Sequence, residues 1–182
     1  MKKLFIYLTL SVALLATVSA QDKKVRVGLK FGFPNLAGLT GEYVLPVLGG
    51  RIAPNVDFTK MPTISLFGAE FDYSYFSLGG NVYLRKGKGP YAHVGYGNQS
   101  FKGSYTKSGL EGSGSVNLSY LNFKLGVKSG GTFYFMSEIG YAALLGDSEF
   151  KVKYPDGSTD TEAVPSILSK GLMINSGFGL AF

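Results

Sequence analysis

Leu172-Met173-Ile174-Asn175-Ser176-Gly177-Phe178-Gly179-Leu180-Ala181-Phe182 closes the chain with side chains that alternate in kind. Leu172, Ile174, Phe178, Leu180 and Phe182 fall on one face, and Gly171, Asn175, Gly177, Gly179 and Ala181 on the other. A period of two belongs to a β-strand whose faces meet different media. The apolar face calls for hydrocarbon, while the other is too small and polar to build an ordinary core. Together they predict a strand of a transmembrane β-barrel.

The opposite end of the chain agrees. Met1-Lys2-Lys3 is a short basic start, residues 4–18 are almost uninterruptedly apolar, and Val18-Ser19-Ala20 supplies small residues ahead of Gln21. This is the layout of a secretory signal peptide, 1–20, cleaved after Ala20. The run is short of the ~20 residues that a membrane-spanning helix needs. Residues 21–182 are then expected to form one domain. Cleavage removes Lys2 and Lys3, two of 18 basic residues, leaving 16 against 12 acidic ones and a net charge of +4. The remaining Lys and Arg are scattered, with no basic helix or zinc spacing, which excludes nucleic acid as a partner. An anionic lipid surface suits the charge better.

Composition fits a membrane barrel. Gly 26, Tyr 12 and Phe 14 are high, while charged residues are only 16% of the chain. Such a mixture suits aromatic girdles around a crowded interior. With no cysteine, an exported chain is held without disulfides, and a closed sheet achieves this because no edge is left unpaired.

Alternation predicts eight strands. The first holds Val25, Val27, Leu29, Phe31 and Phe33 against Arg26, Gly28, Lys30 and Gly32, and the second holds Tyr43, Leu45 and Val47 against Glu42 and Val44. Leu48-Gly49-Gly50 reads as a tight turn into a third strand with Ile52, Pro54, Val56 and Phe58 opposite Asp57. A fourth runs to about Leu84, a fifth spans about 90–101, a sixth carries Leu121 to Val127, a seventh Phe133 to Leu145, and the quoted segment is the eighth. Long connections are expected at 60–69, 103–114 and 146–168, and tight turns after the even-numbered strands. In the last of the long connections, Phe150, Val152 and Tyr154 are expected to prolong strand seven and to turn at Pro155-Asp156-Gly157. Pro54, which lacks an N–H, predicts a bulge or a short strand. Val116, Leu118 and Tyr120 sit on the opposite parity to Leu121, which predicts a bulge or a strand leaving the membrane near Ser119.

The fold class expected is therefore all-β, an eight-stranded antiparallel up-and-down transmembrane barrel with short periplasmic turns and longer outer loops. A soluble lipid-carrying barrel would reverse the polarity and bury Arg26, Lys30, Glu42, Asp57, Lys124 and Glu138 in a greasy cavity, at high cost.

Signal peptide, alternating strands and terminal Phe182, together with Phe33-Pro34-Asn35-Leu36-Ala37-Gly38, Gly41-Glu42-Tyr43 and Glu138-Ile139-Gly140-Tyr141, resemble the small outer-membrane β-barrels of Gram-negative bacteria. The likeness is to the OmpA/OmpX-like and PorT-like group, of Bacteroidetes type. The resemblance implies that the last strand, through Phe178, Leu180 and Phe182, is read by the barrel-assembly machinery. It also implies a monomer set among outer-membrane lipids, lipopolysaccharide included.

An eight-stranded interior is just wide enough for side chains to fill it. Lys30 is expected near Glu42, and Lys124 near Glu138 across a hairpin. A network of Arg26, Lys30, Glu42, Asp57, Lys124 and Glu138 would then plug the lumen with ion pairs. No catalytic, cofactor or metal residue is expected. His93 is the only histidine, so a two-histidine metal site is excluded, and no Ser follows it closely as a lipid-modifying hydrolase would need. Asp156 to Asp160 matches no calcium loop, and Gly95-Tyr96-Gly97 lacks the third glycine of a dinucleotide site. The expected role is non-enzymatic, structural or surface-interacting, through an extracellular partner at 60–69, 103–114 and 146–168. A narrow porin, a lipid A-modifying enzyme and a soluble lipid-binding barrel are the alternatives.

Overall fold

The computed structural model describes residues 23–66, 69–107, 110–146, 149–153, 158–163 and 171–182. The expected signal peptide 1–20 and the turn at 155–157 lie outside the described residues. Among the described residues there are ten strands: β1 (Val25–Phe33), β2 (Leu36–Tyr43), β3 (Ile52–Leu66), β4 (Ala69–Arg85), β5 (Lys88–Lys107), β6 (Leu110–Lys128), β7 (Phe133–Leu145), β8 (Glu149–Lys153), β9 (Thr159–Ala163) and β10 (Gly171–Ala181).

Eight of them close into an antiparallel ring, β1 through β7 in order and then β10, which returns to β1 from Arg26↔Ala181 to Phe33↔Ile174. Closure leaves the ring with no sheet edge. β8 and β9 form an extra hairpin that lies against β6, with Ser113↔Lys153 and Ser115↔Lys151 in register. Val25 and Phe182 exchange backbone hydrogen bonds at the near end of the barrel. The β2–β3, β4–β5 and β6–β7 turns share that end, and the tips of the long strands form the far end.

The pleat sorts side chains as the alternation requires. Val27, Leu29, Phe31, Leu78, Val94, Phe123, Leu125, Phe135, Ile139, Leu172 and Phe178 are exposed on the outer wall. Arg26, Lys30, Glu42, Asp57, Lys124, Glu138 and Asn175 are buried on the inner one. Hydrocarbon outside and charge inside is the reverse of a soluble ligand-carrying barrel. Met173 is the departure within β10, since it faces inward and is 1% exposed.

Several strand limits differ from the sequence expectation, for one physical reason. The stretches 60–66, 103–107 and 110–114, expected as loops, are strand. Above the apolar belt both faces meet polar surroundings, so the hydropathy alternation vanishes while the backbone ladder continues. Part of 146–168 is likewise strand, as β8 and β9. β8 continues the line of β7 along β6, in keeping with the expected prolongation.

β2 occupies residues 36–43, earlier than expected, because the β1–β2 turn consists only of Pro34 and Asn35. Leu45 and Val47 belong to the connection, where Pro46 precedes a short 3₁₀ turn over Val47–Gly49. No bulge forms at Pro54, which lies one residue past the last β2–β3 rung, Glu42↔Asn55, while staying opposite Gly80. The register shift falls instead between Met61 and Ile64, around Pro62. β6 has no bulge either: its register with β5 is unbroken from Gly89↔Lys128 to Lys107↔Leu110. Val116, Leu118 and Tyr120 keep the inward parity of Asn122 and Lys124, and it is the lumen that turns apolar at their level. On the outer wall of β6 the apolar series does stop at Leu121, with Ser119, Asn117 and Ser115 beyond it.

Candidate functional site

The interior is layered along the barrel axis. Nearest the near end, Glu42 on β2 faces Arg26 on β1 as its direct cross-strand partner, with Nη1 2.5 Å from Oε1. Lys128 from β6 reaches the other carboxylate oxygen at 2.7 Å. Tyr83 donates its hydroxyl to the same carboxylate at 2.8 Å, and the Asn81 amide also donates to it. Lys128 is further surrounded by the rings of Tyr83, Tyr91 and Tyr134, with centroids 5.8, 5.6 and 5.2 Å from Nζ. Two cations thus share one carboxylate here, and three aromatic faces help to offset the surplus positive charge.

The next layer is a charge-balanced tetrad. Lys30 lies 2.7 Å from Asp57 and 3.2 Å from Glu138, and Lys124 lies 3.5 and 3.2 Å from the same two carboxylates. Each charge touches two of opposite sign. Thr40 donates to Asp57 at 2.7 Å, and Tyr91 donates to Glu138 at 2.7 Å. All four charged residues are at most 4% exposed. Ions so far from water persist only when paired and hydrogen-bonded on most sides.

Above the tetrad the lumen passes to amides and tyrosines, then to an apolar cluster. Asn122 donates to Tyr75 at 3.0 Å, and Tyr120 donates to Gln99 at 3.0 Å. Val116, Leu118, Tyr120, Ala142 and Met173 pack together, with Phe101 and Leu144 against them. The β1–β2 turn bends over this level: Tyr73 donates to the Pro34 carbonyl, and Thr59 to that of Asn35 at 2.7 Å. Glycine makes room for the large rings. A Cβ at Gly126 would stand 2.5 Å from the Tyr91 ring, so only hydrogen fits there.

All six charges expected in the lumen face inward, with pairings that differ in part. Lys124 and Glu138 meet diagonally, as the hairpin geometry implied, because the direct partner of Lys124 is Gly140. Lys30 does not meet Glu42. Its cross-strand partner is Gly38, and the two-residue turn sets Glu42 opposite Arg26 instead. Sequence reasoning left Lys128 and the tyrosine cage out of the network, although Lys128 shares the parity of Lys124. His93 is buried, with Nδ1 2.7 Å from Asn81 Oδ1. Among the described residues no cluster of His, Cys, Asp and Glu could hold a metal ion.

No protein-family model matches this chain, and no curated protein matches it in sequence. Solved structures do match. A major outer membrane protein from Thermus thermophilus superposes with a TM-score of 0.53 at 14% identity, over 89% of this chain and 100% of that one. The fold is that of an outer-membrane β-barrel. Acinetobacter baumannii CarO2 is similar at a TM-score of 0.50 and 10% identity, again over 89% of this chain and 100% of the other. At such identities the outer-membrane barrel fold is what is shared, and the interior ion pairs have to be understood from this chain's own residues.

Proposed function

We propose that this chain is a surface-interaction barrel of a Gram-negative outer membrane. In this reading residues 1–20 direct export, the near end faces the periplasm, and the barrel anchors a sheet that meets a partner at the cell surface. The observation that carries it is the unequal length of the staves. β4, β5 and β6 run for 17, 20 and 19 residues, against 9 and 8 in β1 and β2, so one side of the wall rises past the apolar belt. β8 and β9 widen this extension. A rigid scaffold with protruding backbone is a common place for recognition.

The same reading makes the lumen a structural plug and the protein non-enzymatic. Ion pairs among Lys30, Asp57, Lys124 and Glu138 cross its middle. His93, the one candidate base, is held by Asn81, and among the described residues no serine is bonded to it. Kinship with the OmpA/OmpX-like or PorT-like barrels fits, with Phe178, Leu180 and Phe182 as the strand that the assembly machinery reads and with lipopolysaccharide and other outer-membrane lipid around a monomer.

A narrow ion path is the second reading. His93 Nε2, Asn122 Oδ1 and both amide atoms of Asn175 are buried without a hydrogen-bond partner among the described residues. Polar atoms so placed usually hold water. Planar-bilayer recording separates the two. The plugged barrel is expected to give no steady conductance step. A steady step that disappears in Lys30→Met or Glu138→Gln would replace the scaffold reading with a porin.

A further inference from the structure

We infer that the outer wall of the far extension carries a saccharide-binding cleft, and that its occupant is the sugar headgroup of a glycolipid standing beside the barrel. This rests on the outward display of the far end proposed above. A concavity of about 560 Å³ opens there, lined by Thr63, Glu70, Asp72, Lys102, Ser104 and Ser115 among others. Its side chains come from two outward-facing rungs of the sheet, with the Gly103↔Gly114 rung between them. Asp72 stands opposite Lys102, which stands opposite Ser115, and two rungs further out Glu70, Ser104 and Ser113 follow in the same order. Thr63 enters from the displaced segment around Pro62, and Thr159 of β9 bounds the cleft on the other side.

The wall on which it opens follows from parity. On β5 the inward series is Tyr91, His93 and Gln99, so Lys102 and Ser104 share the outward series of Val94 and Tyr96. On β6, Ser113 and Ser115 continue the outward series of Phe123 and Leu121. The cleft therefore opens to the side of the barrel. Lys102 lies six residues beyond Tyr96, the last outward apolar residue of β5, which is roughly 20 Å along the strand. At a tilt of about 45° the cleft stands roughly 14 Å above the hydrocarbon boundary. That is the level of headgroup sugars in the adjoining leaflet.

The chemistry of the lining matches a sugar. Among the described residues Glu70, Asp72 and Lys102 form no ion pair or side-chain hydrogen bond, although Asp72 and Lys102 face each other across two strands. Carboxylates accept hydrogen bonds from vicinal hydroxyls, the serine and threonine hydroxyls both donate and accept, and an ammonium takes an acidic or phosphate substituent. Acyl chains are poorly served by this set. On β8, Lys151 and Lys153 occupy the register positions beside Ser115 and Ser113.

The test uses the full barrel in detergent, with native mass spectrometry as readout. Purified lipopolysaccharide, lipid A without core sugars and the delipidated core oligosaccharide are the three probes. Lipopolysaccharide is expected to bind, and the double variant Asp72→Asn/Lys102→Gln is expected to weaken it at least tenfold while leaving any lipid A binding unchanged. Equal binding of lipopolysaccharide by the native protein and the variant, or no binding, would overturn the cleft. Core oligosaccharide bound as tightly as lipopolysaccharide would overturn the glycolipid as its source. Ile64→Cys, a unique thiol on the other face of the extension, keeps this apart from the underlying reading: labelling on intact cells by an impermeant maleimide without sugar binding removes the cleft alone. Failure to label removes the outward display, and the cleft with it.

Discussion

Asp57→Asn should destabilise the barrel by about 3–5 kcal/mol, because it leaves Lys30 and Lys124 sharing Glu138 in a buried site. Asp57 is 0% exposed and accepts from Lys30, Lys124 and Thr40, so its loss leaves two buried ammonium groups with one carboxylate between them. Asp57→Asn/Lys124→Gln restores neutrality by leaving the pair Lys30 and Glu138. It should recover part of the loss, with a coupling of about 0.5–3 kcal/mol between the two sites. Urea unfolding in lipid vesicles measures both. Simple additivity of the two single losses would mean that the tetrad is not an electrostatic unit.

Leu125→Arg is the second large effect. Leu125 is 66% exposed on the outer wall of β6, between Phe123 and Val127, which are also exposed. A guanidinium at that depth should cost about 2–4 kcal/mol in a bilayer. Asn117→Arg, on the same strand and the same wall but beyond the apolar series, should change stability by no more than about 0.5 kcal/mol. The contrast arises from the surrounding medium, since both positions are outward and paired in the same ladder. The same unfolding experiment reads it, and an equal cost at the two positions would contradict a hydrocarbon belt that ends near Leu121.

Much of this architecture was legible because a membrane barrel imposes two media on every strand. Phe31, Phe135 and Leu172 alternate with Lys30, Tyr134 and Met173 for that reason, and the wall can be read without knowing any contact. Legibility failed wherever the two media became one. Residues 60–66 and 103–107 carry no alternation because water lies on both sides, yet β3 and β5 continue through them by backbone pairing. Val116, Leu118 and Tyr120 misled in the opposite sense: they are apolar and inward, packing with Ala142 and Met173 in the far part of the lumen.

The interior shows a similar division. Which charges point inward follows from parity, so all six could be named from the sequence. Which ones touch depends on register, and register depends on turn length. Glu42 meets Arg26 rather than Lys30 because Pro34 and Asn35 complete the turn by themselves. The cage around Lys128 gathers Tyr83, Tyr91 and Tyr134 from three other strands. A local pattern contains no sign of such a meeting, although the glycine at 126 that admits the Tyr91 ring was visible as one of many small inward residues.

The central claim is that hydrocarbon surrounds the outer wall while ionised groups remain within. The chain contains no tryptophan, so Phe135→Trp, on a residue 60% exposed on the outer wall, provides a single indole reporter. In vesicles of lipids with brominated acyl chains its fluorescence should be strongly quenched and should resist aqueous iodide. Emission untouched by bromine and quenched by iodide would mean that this face meets water, and the account would be wrong at its base.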